Sequence, residues 1–141
     1  MKLAFLSAII LFAFSGCTKN YPRVNQVYSA IYTVAANQWV AGTDADGTKF
    51  FYTTLNISEL TQAIDQNGGV AVYLSFSAST DANPVYEAVP EVIGGVAYGA
   101  IHTTGSVTVD LRAADGGNLT SAISAPTLLK IVLMDATALG N

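Results

Sequence analysis

Among 141 residues there is one cysteine, one histidine and one tryptophan, and only 11% of the chain is charged. A single cysteine rules out an intramolecular disulfide, so the fold must stand on its core alone. One imidazole without a second thiol cannot furnish a tetrahedral zinc site. Six Lys/Arg, scattered among ten Asp/Glu, do not form the concentrated positive patch that nucleic acid demands. Ser77, Ser79 and Ser106 have no G-x-S-x-G context, and no internal repeat or low-complexity block is present. No apolar run reaches the roughly 20 residues needed to span a membrane as a helix.

The one long apolar run is at the start. Lys2 supplies a positive charge, Leu3 to Phe14 are apolar except for Ser7, and Phe14-Ser15-Gly16-Cys17 ends the run with small residues before the cysteine. About twelve apolar residues suit the core of a signal peptide. The segment resembles a bacterial lipoprotein signal with its lipobox, although Phe14 stands where leucine is commonest. The resemblance implies that the Cys17 thiol takes a diacylglyceryl group, that residues 1–16 are removed and that the new amine is acylated. The plain alternative is a conventional signal peptide that leaves Cys17 as a free thiol. Each buried methylene contributes about 0.8 kcal/mol, so a multi-chain anchor holds stably where one chain would not. Thr18 in place of aspartate implies outer-membrane sorting. Lys19-Asn20 lacks the acidic residues of some surface-displayed lipoproteins, which leaves the side of the membrane open. The expected organisation is residues 1–16 signal, 17–24 lipidated terminus and tether, 25–135 a β-sandwich domain and 136–141 a tail. Without Lys2 the chain keeps five basic and ten acidic residues, a formal charge of −5.

From Val24 onwards nearly every segment reads as strand. Val27 to Val34 is β-branched and aromatic, with Val27 and Ile31 on one face and Tyr28 and Tyr32 on the other. Gln38 to Thr43, with Trp39 as a core residue, and Lys49 to Leu55 flank Asp44-Ala45-Asp46-Gly47, a hairpin signal. Ile57, Leu60 and Ile64 recur at helical spacing, which predicts one short helix over 57–66. Asn56 would cap it, Glu59 would complete a capping box and Asn67-Gly68-Gly69 would stop it. Val70 to Ser77 alternates, with Val70, Val72, Leu74 and Phe76 expected inward and Ala71, Tyr73, Ser75 and Ser77 outward. Val85 to Val89 is a short strand ended by Pro90. Val96 to Thr103 and Ser106 to Ala113 form a hairpin about Thr104-Gly105. Its register should set His102 beside Val107, Ala100 beside Val109 and Tyr98 beside Leu111. Leu119 to Ala125 is a weak helical turn or an edge strand. Thr127 to Met134, apolar on both faces except for Lys130, is a central or sandwich-closing strand.

About eight strands, separated by Gly, Asp, Asn and Pro turns, predict a mainly β fold: an antiparallel β-sandwich of Greek-key or jelly-roll type with one short α-helix. Over its whole length the mature region resembles small lipobox-bearing β-sandwich lipoproteins of Gram-negative bacteria. The strand, short helix, Gly-Gly stop and alternating strand of Lys49 to Ser77 carry that likeness, and it implies no activity.

Candidate chemistry is sparse. His102 is either a general base, a single metal ligand or a rim residue with one nitrogen bonded. Asp44 and Asp46 form a D-x-D pair, and Asp115 with Asn118 lies in a second glycine-bearing loop. These are weak calcium candidates, and acids accepting backbone hydrogen bonds in turns are the plainer reading. Tyr73, Tyr28 and Tyr32 are candidates for stacking a sugar or docking a protein, set against their ordinary role as strand formers. No cofactor is expected. The leading expectation is a non-enzymatic envelope lipoprotein, attached to the membrane through Cys17 and structural or interacting in role. A carbohydrate- or peptide-binding accessory module, engaging a glycan or envelope protein, comes second. A small hydrolase or isomerase is third.

Overall fold

Residues 26–136 are described by a computed structural model; the signal segment, the expected lipidated terminus and tether at 17–24, and residues 137–141 lie outside them. Within the described residues the β-branched and aromatic segments form nine strands. These are β1 (Val27–Val34), β2 (Val40–Thr43), β3 (Lys49–Asn56), β4 (Gly69–Ser75), β5 (Glu87–Val89), β6 (Glu91–Ile93), β7 (Val96–Thr103), β8 (Ser106–Ala113) and β9 (Thr127–Met134). They pair into two antiparallel sheets, ordered β1-β9-β4-β5 and β2-β3-β8-β7-β6. The sheets pack face to face as a β-sandwich, with the core drawn from both.

The C-terminal strand organises the first sheet. β9 lies between β1 and β4, pairing Leu129 with Tyr32 and Leu74, and Ile131 with Ala30 and Val72. Its even-spaced partners Leu129, Ile131 and Leu133 are buried against the other sheet. Leu128, on the opposite face, is also buried, whereas Met134 is exposed. The expected central strand is therefore found, covered on one face and partly covered on the other.

The second sheet is built from hairpins. Gly47 (φ +89°) and Gly105 (φ +85°) occupy left-handed positions in the β2–β3 and β7–β8 turns, where a side chain would be strained. Pairing across the latter matches the expected register, with His102 opposite Val107, Ala100 opposite Val109 and Tyr98 opposite Leu111. Trp39 is buried as expected, but a 3-10 turn at Ala36–Gln38 precedes it, so its strand starts only at Val40.

The helix requires correction. Ile57, Leu60 and Ile64 are all buried, yet α1 spans only Gln62–Asn67. Asn56 ends β3 rather than capping a helix, and Glu59 accepts from Ser58 Oγ (3.0 Å) instead of closing a capping box. The cause is tertiary. Ile57 N donates to Gly105 O (2.8 Å) and Gly105 N donates to Leu60 O (2.8 Å), so the 57–60 backbone is committed to the β7–β8 turn. Thr61 then caps α1, its side chain accepting from Ile64 N (3.4 Å), and Gly68 follows as the expected stop.

The alternation of β4 also breaks early. Val72 and Leu74 point inward as expected, but the strand ends at Ser75, which is buried, and Phe76 is 47% exposed. Ser75 Oγ accepts from Ser77 N (3.1 Å), turning the chain out of the sheet before Phe76 can continue the pattern. Beyond it, Glu87–Val89 joins the first sheet and Glu91–Ile93 the second, so the segment around Pro90 changes sheets. Residues 119–125 form no strand. Leu119, Ala122 and Ile123 pack on the core as a covering loop, fastened by Leu119 N to Lys49 O (3.0 Å) and Lys49 N to Asn118 Oδ1 (2.8 Å).

These burials predict unequal costs. Leu74→Ala should lose about 2–5 kcal/mol in urea unfolding, as a large-to-small change in a filled core. Val92→Ala, on an exposed site of β6, should stay within about 0.5 kcal/mol. Equal losses at the two sites would contradict the assigned inner face.

Candidate functional site

β1 places alternate side chains on opposite faces of the first sheet, so Tyr28 and Tyr32 project to the inner side while Val27 and Ile31 project outward. Among the described residues β1 is an edge of its sheet, and the two tyrosines frame a groove of about 210 Å³ at the open margin of the sandwich. Buried Ile57, Ile131 and Leu133 form its apolar floor, and Glu59 puts a carboxylate on the rim. A second depression adjoins it through Tyr28 and Glu59 and reaches Thr61 and Asp135. The Tyr28 hydroxyl donates to Gln26 Oε1. Two rings, a greasy floor and a rim acid can hold an apolar side chain or stack a sugar ring.

Tyr73 does not join them. It lies on the outer face of the same sheet, cross-strand from Lys130, whose Nζ is 4.7 Å from the Tyr73 ring centre and 4.1 Å from that of Tyr86. The ammonium thus already interacts with Tyr73. Lys130, an oddity in an otherwise apolar strand, has this pair of rings as its partner.

The second sheet carries another aromatic cluster on its outer face, built on Phe50 and Tyr52, which alternation along Lys49 to Leu55 sets on the face opposite Phe51. The Phe50 ring lies on Gly42, where a Cβ would come within 2.5 Å of it, and the Arg112 guanidinium stands 4.3 Å from the ring centre. Tyr52 is adjacent, its ring centre 5.9 Å from that of Phe50. Arg112 donates to Asp110 (2.6 Å) and to Asp44, which keeps its charge paired. The available signal was the alternation Phe50, Tyr52 opposite Asp110, Arg112. Connecting it required the pairing of β3 with β8, which spans more than fifty residues.

The metal candidates separate. Asp44 faces Arg112, while Asp46 Oδ1 accepts from Thr48 N (2.9 Å), a bond that lowers its pKa. Asp115 Oδ1 accepts from Gly117 N (2.9 Å), and Asn118 is bound to Lys49 N. Among the described residues no group of three or more His, Cys, Asp or Glu is placed to hold a metal ion.

His102 has a carboxylate partner. Its Nδ1 lies 2.8 Å from Asp65 Oδ1, and the Thr104 hydroxyl donates to Asp65 Oδ2 (2.9 Å), tying α1 to the β7–β8 turn. The hydroxyl is thus spent on the acid and not on the imidazole, where a nucleophile would need to be. A second acidic feature lies where the chain changes sheets. Glu91 Oε1 is shielded without a hydrogen-bond partner, and its carboxyl is pushed up by desolvation and by neighbouring Glu87. Among the described residues no helix is long and apolar enough to cross a membrane.

No protein-family model, curated protein or solved structure matches the chain.

The Asp65 cluster makes a signed pH prediction. The His102 contact, then the Thr104 bond, hold the Asp65 carboxyl below its ordinary 3.8. A depressed acid stabilises the fold above its unfolded-state pKa, and that stability is lost as pH falls through the lower folded value. Asp65→Asn should therefore melt below wild type at pH 7, with the gap closing below pH 3.8. A gap that widens in acid would refute the assignment.

Proposed function

We propose that the chain is a lipid-anchored cell-envelope protein, held at the outer membrane through Cys17, whose work is binding. The observation that carries this reading is the condition of β1. It is an eight-residue edge strand with no charge, proline or glycine, and Val27 and Ile31 on it are 67% and 57% exposed. Edge strands of this kind are normally blunted, because their free N–H and C=O groups accept another strand. Strand addition supplies main-chain hydrogen bonds, and pockets beside the edge supply selectivity. The Tyr28–Tyr32 groove lies where such a pocket would be needed. The anchor itself rests on the lipobox pattern ending at Cys17 and on the thiolate's nucleophilicity.

A binding role without turnover fits the ionisable groups that the fold assembles, since the His102–Asp65 pair has its neighbouring hydroxyl facing the acid. A glycan-binding role is the second reading, favoured by two tyrosines and Glu59 on one groove. Tyr73, with Lys130 against its ring, is the weaker of the candidate contacts.

Two experiments test these readings. Wild-type protein should incorporate labelled palmitate and partition with membranes, and Cys17→Ser should do neither; label retained by the variant would overturn the anchor. On a glycan array, Tyr32→Ala and Glu59→Gln should leave any signal unchanged under the strand-binding reading. Loss of a signal in both variants, with melting temperature preserved, would move the assignment to carbohydrate.

A further inference from the structure

The partner that β1 fits can be specified from its own geometry, and this step rests on the binding role just described. Among the described residues the four sheet edges differ sharply. β5 and β6 have three residues each, start with glutamate and are separated by Pro90, while β2 has four residues and contains Gly42. Shortness, charge and proline are the usual protections against edge pairing. β1 has none of them, and its outer face continues across the sheet through Val132 and exposed Met134.

We propose that the occupant of this edge is β1 of a second copy, paired antiparallel about a two-fold axis to make one continuous eight-stranded sheet. The strand is self-complementary: it is uncharged although the protein is acidic, so a copy meets it without like charges opposed along the strand, and its two tyrosines can supply aromatic partners to one another across the pair. Geometry selects the register. Directly opposed residues in an antiparallel pair share a face, so the sum of their numbers must be even for the tyrosine face to meet the tyrosine face. Val34 is fully buried, which leaves Val27 to Thr33 as the accessible segment, with its midpoint at Ala30. Centring there sets Ala30 against Ala30 of the second copy. Tyr28 then meets the second copy's Tyr32, and Tyr32 its Tyr28, while Val27 meets Thr33 and Ser29 meets Ile31 on the outer face. Each aromatic pair closes the margin of a groove that is open in the single copy.

The same pairing is compatible with two anchors in one membrane. The first residues of the two β1 strands would be about 20 Å apart, six residues of strand. The ten residues from Cys17 to Val27 reach at most about 35 Å, so both lipids can enter the same leaflet. A strand-pair contact is small beside a standard interface of about 800 Å² per partner. Confinement to a membrane raises the effective concentration and would populate it.

Disulfide trapping of the full chain in membranes tests the register. In an antiparallel pair, opposed Cα atoms lie about 4.5–5.5 Å apart, within the span a disulfide bridges. Ala30→Cys should give a covalent dimer on mild oxidation, at least tenfold above Val40→Cys on β2 and Val92→Cys on β6. Wild type should give none, its only thiol being lipid-bound. A wild-type dimer through Cys17 would instead refute the anchor, and the edge would then be judged in a Cys17→Ser background. Ala30→Lys, which opposes two ammonium groups, should reduce the dimer fraction at least tenfold in detergent sedimentation while the melting temperature holds. Trapping at Ala30→Cys no greater than at Val92→Cys would overturn the proposal. So would an adduct with a different envelope protein, or an unchanged dimer in Ala30→Lys.

Discussion

The pairing of β9 between β1 and β4 is the contact on which the rest of the molecule depends. It joins residues about a hundred positions apart across β1 and β9 and more than fifty apart across β4 and β9, and carries Leu129, Ile131 and Leu133 into the core, all nearly inaccessible to solvent. Without it β1 has no neighbour, β4 keeps only three-residue β5, and the inner row that the second sheet packs against does not form. Nothing local can substitute, because a lone strand or short hairpin is at best marginal in water. With no disulfide available, the loop-closure entropy of that pairing is met by burial alone.

That dependence also explains where the molecule is open. β9 brings β1 to the margin of the sheet and stops there, so a strand composed like an interior one ends at an edge. Its inner tyrosines half-cover the core, and its outer valine and isoleucine are left to solvent. The second sheet shows the opposite arrangement. Its exposed face is crossed by Arg112, Asp110 and Asp44, whose paired charges and the Phe50 ring occupy one another. One face of the sandwich is thus self-satisfied and one edge is not, and the functional reading follows the unsatisfied one.

The helix region shows how a tertiary contact redirects local preference. Ile57, Leu60 and Ile64 have helical spacing and are all buried, yet the first two are held by hydrogen bonds to Gly105 of a distant turn. The same docking brings Asp65 to His102 and Thr104, so the one histidine acquires its carboxylate from a helix that starts late.

Most of the elements were legible in the residues themselves. The mainly β class, β1, β7, β8 and β9, the two hairpin turns and the β7–β8 register follow from period-two alternation and from glycine at turns, both of which act over a few residues. That Tyr28 and Tyr32 share a face, that Tyr73 points outward and that Leu74 points inward follow from the same alternation, whereas Trp39, expected in the core, is buried ahead of the start of its strand. What the chain alone did not determine is which strand neighbours which. Only the fold made β1 an edge, set Lys130 between Tyr73 and Tyr86, and joined Asp44 to Arg112. The physical reason is range. Side-chain alternation and turn chemistry are local, whereas strand order is chosen by how the whole set of apolar faces can be buried at once, and that choice is made between residues far apart in sequence.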